Sequence, residues 1–143
     1  MNMALDSIFG IAGTALNAQL TRMNATASNL ANAGTVSATE KDAFRAKRPV
    51  FQALVDEQMT HAGAKYVGGV KVAKIADDTA PPQRVADPKN PLADKDGYVY
   101  KSNVSEVTEM VEMMAAARSY QNNVEVINTA RQLMMRTLDI TKA

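Results

Sequence analysis

Residues 103–143, NVSEVTEMVEMMAAARSYQNNVEVINTARQLMMRTLDITKA, decide the fold, because this last part of the chain contains neither proline nor glycine. Asn103 followed by Glu106 is typical of a helix N-terminus, where both side chains satisfy free backbone N–H groups. Acidic residues lie early in the segment and basic residues late, which suits the dipole of a helix. The segment predicts one uninterrupted helix of about 35 residues, long for a globular domain.

Apolar residues recur along this helix with the alternating three- and four-residue spacing of a coiled-coil seam, which Arg131 interrupts once. The seam consists of Met113, Ala117, Tyr120, Val124, Ile127, Met134 and Leu138. A stripe this narrow suits one partner helix better than a broad core. It therefore predicts that the segment pairs with another long helix.

A second long helix is indicated at residues 1–34, which carry only two charged side chains, Asp6 and Arg22. Asp6 is placed to cap its start, and Gly34 is placed to end it in the left-handed conformation. We expect about 25 residues of helix between them. The same seam spacing recurs here, in Phe9, Gly13, Leu16, Leu20, Met23, Ala27 and Leu30.

The middle of the chain, residues 35–102, holds all five prolines and most of the turn signals. Residues 70–75 (VKVAKI) alternate as a half-buried strand does, and residues 50–55 (VFQALV) indicate a second strand. Residues 80–91 are rich in proline and predict an extended loop, and Asp96-Gly97 predicts a turn before a short run of apolar residues.

The sequence thus predicts an α+β protein in three parts. Residues 1–34 form the N-terminal helix, residues 35–102 a small β-rich or extended insertion, and residues 103–143 the C-terminal helix. The two terminal helices are expected to pair as a coiled coil.

Composition argues against several classes of function. Lys and Arg total 16 and Asp and Glu total 15, a net charge of +1 that lacks the basic excess of a nucleic-acid-binding protein. The chain has no cysteine, which excludes disulfides and thiol chemistry. No run of residues is long and apolar enough to cross a membrane. The N-terminus lacks the basic start of a cleavable signal peptide, and we expect none.

Three clusters could carry site chemistry, and each has a simpler interpretation. The segment Asp94-Lys95-Asp96-Gly97 is similar to the start of a calcium loop, but Ser105 stands where the twelfth ligand should be, so we expect a turn. His61 lacks a pattern that would make a catalytic triad. Asp77 and Asp78 are adjacent and are expected at a strand end rather than as an acid–base pair. We therefore predict no catalytic residue, no metal ion, no cofactor and no small-molecule substrate.

The first helix also shows what kind of molecule this is. Its outer face consists of Ala, Asn, Thr, Ser and Gln, so other helices can approach it without burying charge. Its seam offers about four large side chains, each stabilising by roughly 1.5–3 kcal/mol only when covered. An isolated helix of this kind is marginal in water. The helix is therefore expected to be surrounded by protein, including other subunits, which indicates a polymer.

Four motifs resemble those of bacterial flagellar axial proteins. Residues 27–35 (ASNLANAGT) are similar to the motif that closes the first helix of that family, and residues 119–129 (SYQNNVEVINT) to the motif of its last helix. Residues 44–52 (FRAKRPVFQ) and 90–99 (NPLADKDGYV) resemble the basal-body rod proteins of the proximal rod within it.

The resemblance implies a structural subunit of the proximal rod, the part of the flagellar drive shaft that crosses the periplasm and transmits torque. Such subunits polymerise helically through their terminal helices and are exported by the flagellar export apparatus without a cleaved signal peptide. The implied partners are copies of this chain, other proximal rod proteins and the base of the rod near the membrane ring. Asn29 and Asn32 belong to the first-helix motif, and we place them at the subunit or helix interface with the seam residues.

A second hypothesis treats the molecule as a soluble adaptor. In that case the two helices form a self-contained coiled coil that binds one partner. The two hypotheses differ in what the isolated chain should do, because the adaptor satisfies its own helices and the rod subunit does not.

Overall fold

The computed structural model describes residues 2–55 and 68–142, with the side chains of residues 2–6, 55, 141 and 142 left out. The described chain is α+β, which confirms the predicted class. The elements in chain order are α1 (Asn2–Asn32), β1 (Val36–Ser37), β2 (Lys47–Val55), β3 (Gly68–Asp77), β4 (Gln83–Ala86), β5 (Tyr98–Lys101) and α2 (Glu106–Lys142). His61 lies outside the described residues.

Helix α1 begins at an earlier residue than the sequence predicted, and the residue that caps its C-terminus is also a different one. It starts at Asn2, so Asp6 lies inside the helix and the N-cap predicted there is wrong. It ends at Asn32, but Gly34 does not adopt a positive φ. Instead, the Thr35 backbone N–H and its hydroxyl both donate to the Asn32 carbonyl, at 3.1 and 2.8 Å. A threonine thereby satisfies the carbonyl that a left-handed glycine was expected to serve.

Helix α2 runs for 37 residues, close to its predicted length, but its cap is Ser105 and not Asn103. The Ser105 hydroxyl accepts from the Thr108 backbone N–H at 3.4 Å, the pattern of an N-cap. Asn103 joins other parts of the chain. Its Oδ1 accepts from the Ala46 N–H at 2.8 Å, and its Nδ2 donates to the Ala80 carbonyl at 2.7 Å.

The strands between the helices form two antiparallel sheets. Strands β2 and β3 make a hairpin with a bulge at Val50/Phe51, where Val50 pairs with Lys74 and Phe51 with Val72. A smaller sheet has the order β1-β5-β4. Strand β4 lies in the stretch that we expected to be an extended loop, and all four of its residues are exposed. The predicted turn at Gly97 is present, with φ at +78°.

Helix α1 packs against α2 on one side and against the β2–β3 hairpin on another. The Val70 N–H donates to Thr14 Oγ1 at 3.2 Å, and the Lys47 N–H donates to Asn29 Oδ1 at 2.7 Å, so the hairpin runs along much of the helix. Gly69 allows this approach, since a Cβ there would lie 2.8 Å from Thr14 Oγ1. The chain's own hairpin thus covers part of the neutral face that we had assigned to other subunits.

Small residues dominate the buried positions. Among the residues whose burial is described, most of the buried apolar residues are alanines, and two are larger. They are Ala12, Ala18, Ala25, Ala33, Ala43, Ala46, Val99, Val104, Ala116 and Ala130. Since a thin core contributes little hydrophobic stabilisation, buried polar contacts matter more than usual for holding the elements together. Within the described ranges, no helix is long and apolar enough to span a membrane.

Candidate assembly interface

The two helices pack antiparallel to each other. Arg22 of α1 forms an ion pair with Glu112 of α2, and Asn29 contacts Glu109, so later positions on α1 meet earlier positions on α2. At the other end, Ile8 lies beside Val126 and Leu133. Residues of the two predicted seams therefore come from helices that do lie side by side.

The predicted interface residues divide into two groups by their exposure. The seven-residue rows and three further positions are half-buried or buried: Phe9, Leu16, Met23, Leu30, Asn29, Asn32, Met113, Ala117, Tyr120, Ile127 and Met134. The others are open to solvent: Ala27, Leu20 (47% exposed), Val124 (36%) and Leu138 (49%). The exposed group is available for contacts outside the chain.

Sequence reasoning missed the small residues that are buried along the helix pair. Ala18 and Ala25 are seven residues apart on α1, and Ala116 and Ala130 are fourteen apart on α2. These alanines form rows next to the large-residue rows and let the helices approach closely. The same seven-residue period, applied to small residues as well as large ones, would have found them.

The clearest unfilled surface is an apolar patch at the start of α2, which we call the outer patch. It consists of Val107, Met110, Val111 and Met114, which are 58–73% exposed. Their spacing places them on one face of the helix. Val107 and the buried Ala116 are about two and a half turns apart, so the outer patch lies opposite the side that is buried in the chain.

A second apolar surface lies near the far end of the helix pair. It is an open groove of about 370 Å³, lined by Ile8 of α1 and by residues of α2 that include Val126, Ala130 and Leu133. The chain therefore presents two different apolar surfaces at opposite ends of one helix pair.

A buried polar cluster fixes the geometry where α1, α2 and β2 meet. Asn29 is fully buried, and its side chain makes three hydrogen bonds. Its Oδ1 accepts from the Lys47 N–H at 2.7 Å, and its Nδ2 donates to the Lys47 carbonyl and to Glu109 Oε2, both at 3.0 Å. One amide thus satisfies both backbone polar groups of Lys47, and its bond to Glu109 connects both helices to the start of the hairpin.

Glu109 is also fully buried, which is rare for a carboxylate. Arg48 of the hairpin lies with Nη1 2.6 Å from Glu109 Oε1, an ion pair in which no N–H is aligned as a hydrogen bond. Arg48 also faces Asp78 at the end of β3, with Nε 3.4 Å from Oδ2. We call Asn29, Lys47, Arg48 and Glu109 the junction.

Neighbouring contacts attach the smaller sheet to the same place. Ser102 is buried after β5, and its hydroxyl donates to the Ala33 carbonyl at 2.7 Å while its N–H donates to the Thr35 carbonyl at 3.1 Å. Asn103 holds Ala46 just before β2. Ser102 therefore ties the end of β5 to the end of α1, and Asn103 ties the same segment to the residue before β2.

The acidic residues that were considered as metal ligands or as an acid–base pair form hydrogen bonds and ion pairs within the chain. The Ala80 N–H lowers the pKa of Asp78, and Arg48 lowers it further. The Tyr98 N–H lowers the pKa of Asp94, with contributions from the Asp96 N–H and Arg84. Asp77 pairs with Lys47.

Asp94 thus closes the turn before β5, and both of its oxygens face donors or an arginine. In residues 2–55 and 68–142, no group of three or more acidic or histidine side chains is arranged to hold a metal ion.

Comparison with known proteins places these features in a family. Residues 9–39 match the family model described as flagella basal body rod protein, and residues 95–140 match the one described as flagellar basal body rod FlgEFG protein C-terminal. The first match spans the Asn29 motif, and the second contains the whole of α2 up to residue 140.

Full-length relatives agree. The chain is 50% identical to the flagellar basal-body rod protein FlgC of Salmonella typhimurium over 138 residues, which cover 96% of this chain and 98% of that protein. It is 49% identical to FlgC of Escherichia coli O6:H1 over the same coverage. It is 34% identical to FlgC of Bacillus subtilis over 92% of this chain and 95% of that protein.

Proposed function

The chain belongs to the FlgC family of flagellar basal-body rod proteins, and from that premise we propose how it builds the rod. It is a structural subunit of the flagellar basal body, and its relatives are structural proteins rather than enzymes. In the proposal, residues 1–34 and 103–143 form the axial core, and residues 35–102 lie between them as an insertion. Subunits polymerise helically through the core in the proximal rod and transmit torque along it.

The outer patch is the observation that carries this proposal. Four large apolar side chains that are more than half exposed contribute little to the isolated chain. Covered by a neighbour, each would stabilise the assembly by roughly 1.5–3 kcal/mol. The patch lies opposite the α1-facing side of α2, so a neighbour can reach it without disturbing the helix pair.

Two unlike apolar surfaces on one subunit also suit an open polymer. A contact between different surfaces repeats from one subunit to the next and produces a helix unless the rotation closes into a ring. The outer patch and the groove beside Ile8 are such a pair, since they lie at opposite ends of the helix pair. The occupants of these surfaces are copies of this chain and other proximal rod proteins.

The helix pair itself is proposed to be a coiled coil. The half-buried row on α1, of which Leu16 and Met23 are members, and the half-buried row on α2, with Tyr120 and Ile127, support this pairing. The exposed seam residues Leu20, Val124 and Leu138 then become contacts between subunits. A rod built this way is a wall of helices several layers deep.

The remaining proposals concern how the subunit reaches its place. The flagellar export apparatus carries it to the periplasm-spanning rod without a cleaved signal peptide, and it assembles above the base near the membrane ring. A core made largely of alanine supports this route, because such a core is weak and allows the chain to be unfolded for export.

The test of the proposal is Val111→Asp in bacteria whose only copy of the protein is the variant. We expect loss of rod assembly and of swimming, because a charge would be buried unpaired between subunits. Purified Val111→Asp should keep its thermal stability, since Val111 is 61% exposed in the single chain. The matched control is Gln121→Asp, which puts the same charge nearly three turns further along α2, in line with Met110 and Met114, where the native residue is polar and exposed.

Normal rods in the Val111→Asp strain would refute assembly through the outer patch. They would favour the adaptor hypothesis if the purified chain also proved to be a stable monomer or dimer with slow amide exchange along α1 and α2.

A further inference from the structure

Glu109 makes a contact that neither helix pairing nor assembly requires. It lies in the first turns of α2, and α2 packs against α1. Its Oε1, however, faces Arg48 of the β2–β3 hairpin, with 2.6 Å between Oε1 and Nη1. The contact reaches past α1 and connects α2 directly to the hairpin.

The burial of Glu109 makes this contact conditional on both partners. A fully buried carboxylate is tolerated only where positive charge and hydrogen bonds compensate for lost water. Asn29 of α1 supplies the hydrogen bond to Oε2, and Arg48 supplies the positive charge. If the hairpin moved away from α1, the docked α2 would be left with a buried, unpaired charge.

Arg48 is itself held by the hairpin. Its Nε faces Asp78, whose carboxylate also accepts from the Ala80 N–H at 2.9 Å just after β3. The guanidinium of Arg48 is therefore positioned both by the start of β2 and by the end of β3, which together form the base of the hairpin. Asn29 bonds both backbone groups of Lys47, the residue before Arg48, so α1 holds the same base.

We propose that Glu109 is a positioning residue that couples the docking of α2 to the position of the hairpin on α1. Coupling of this kind is reciprocal: a docked α2 favours the hairpin position seen here, and that hairpin position favours a docked α2. The proposal deepens the proposed function, because assembly of the helices into a rod would then also fix the direction in which each subunit holds its hairpin.

The far end of the hairpin offers a direct readout of its position. A Cβ at Gly69 would lie 2.8 Å from Thr14 Oγ1. In a disulfide, a Cβ lies about 3 Å from the sulfur of the other cysteine, so cysteines at these two positions are placed to bond. Gly69 does not have a positive φ, so a side chain is tolerated by its backbone. The natural chain has no cysteine, so the pair T14C/G69C forms its single disulfide without competition.

The experiment measures the rate of disulfide formation in purified full-length T14C/G69C under a fixed glutathione buffer, alone and combined with E109Q. The matched control is E112Q. Glu112 lies one turn further along α2 and pairs with Arg22 of α1, so its loss weakens helix pairing without touching the hairpin. We expect E109Q to slow cross-linking about tenfold, which corresponds to about 1.4 kcal/mol of coupling, and E112Q to change it by less than about twofold.

The triple combination with R48Q separates the ion pair from a general loss of structure. If Glu109 acts through Arg48, adding R48Q to E109Q should slow cross-linking little beyond E109Q alone. Equal rates in E109Q and E112Q, or fully additive effects of R48Q and E109Q, would overturn the proposal.

The same rates are measured in isolated basal bodies, and failure of T14C/G69C to cross-link in both settings would also overturn it. Because the purified chain reports hairpin position without a rod, this result is independent of whether Val111→Asp blocks assembly.

Discussion

The junction and the groove beside Ile8, at opposite ends of the helix pair, differ in the kind of interaction that they offer. At the junction, Asn29 and Glu109 are fully buried, and their polar atoms are held by hydrogen bonds and an ion pair. At the far end, Ile8, Val126 and Leu133 line an open groove and are 39–54% exposed. The junction is satisfied within the chain, and the groove is left for neighbours. At the junction end, the outer patch on the opposite face of α2 is also left for neighbours.

The difference shows where the chain gains its specificity. Hydrogen bonds have direction, and a short ion pair fixes a separation, so the junction sets how the helices and the hairpin lie against one another. Apolar contacts are not directional and tolerate small shifts, which suits surfaces that must adapt to several neighbours in a rod. A subunit with a rigid junction and adaptable apolar surfaces can be placed accurately among unlike proteins.

The largest effect on stability, and the sharpest test of the contrast between the junction and the groove, is expected for a substitution of Asn29. Replacing Asn29 with Ala leaves the Lys47 N–H and carbonyl without the amide that pairs with both, and leaves Glu109 with one partner fewer. Because Glu109 is fully buried and the bonds to Lys47 are partly buried, the free energy of unfolding should fall by about 3 kcal/mol, measured by urea denaturation of the purified chain.

Asn32→Ala is the control for that measurement. Asn32 belongs to the same motif but is half-buried, and its Nδ2 donates only within α1, to the Ser28 carbonyl at 2.9 Å. Its loss should cost about 0.5 kcal/mol. Equal losses for the two asparagines would show that the junction has no special role in stability.

The fold could be predicted from sequence where the pattern is periodic and long. Residues 103–143 lack helix breakers over their whole length, and the helix α2 that they form is 37 residues long. Strand β3 followed from the alternation of residues 70–75 in the same way. Residues 50–55, which do not alternate, indicated β2 less clearly, and β2 begins at Lys47, three residues before its predicted start. Caps were less predictable, because Asp6, Gly34 and Asn103 are good caps by type while the structure uses Thr35 and Ser105 instead.

The candidate site could be predicted only in part, and the reason is physical. Large apolar residues at seven-residue spacing identify a helix face, but not whether its cover comes from the same chain or another. Asn29 was identified through the family motif and not through its chemistry. The roles of Arg48 and Glu109 were not predicted, since a pairing between residues 61 positions apart leaves no local pattern.

The second prediction tests whether the exposed face of α1 at Leu20 is a contact between subunits. The variant is Leu20→Asp, and its control is Asn24→Asp, one turn further along the same face of α1. Leu20 is 47% exposed and Asn24 is exposed. Leu20→Asp should lower the free energy of unfolding of the purified chain by only about 1 kcal/mol.

In cells, the same variant should prevent swimming, because assembly would bury the new charge. Asn24→Asp should leave both stability and swimming near the values of the unmodified protein. If Leu20→Asp swims normally, that face of α1 is not a contact between subunits.

The smallest effect is expected at the edge of the junction, where the Ala80 N–H and Arg48 lower the pKa of Asp78 below its ordinary value of 3.8. A lowered pKa means that the folded chain favours the carboxylate. The resulting stability is present above the pKa of the unfolded chain and is lost as the pH falls through the folded pKa, below 3.8. Since the side chain is about a third exposed, Asp78→Asn should cost less than about 1 kcal/mol at pH 7.

This cost should shrink as the pH is lowered below 4, because the unmodified protein then loses the same interaction. Urea denaturation of both proteins between about pH 2 and pH 7 measures it, with Asp77→Asn as the control for loss of a nearby surface charge. A difference between Asp78→Asn and the unmodified protein that stays constant down to pH 2 would mean that the Asp78 hydrogen bond to Ala80 does not favour the charged form. The base of the hairpin would then be held by Asn29 and Arg48 alone, and the junction would end at β2 instead of extending to β3.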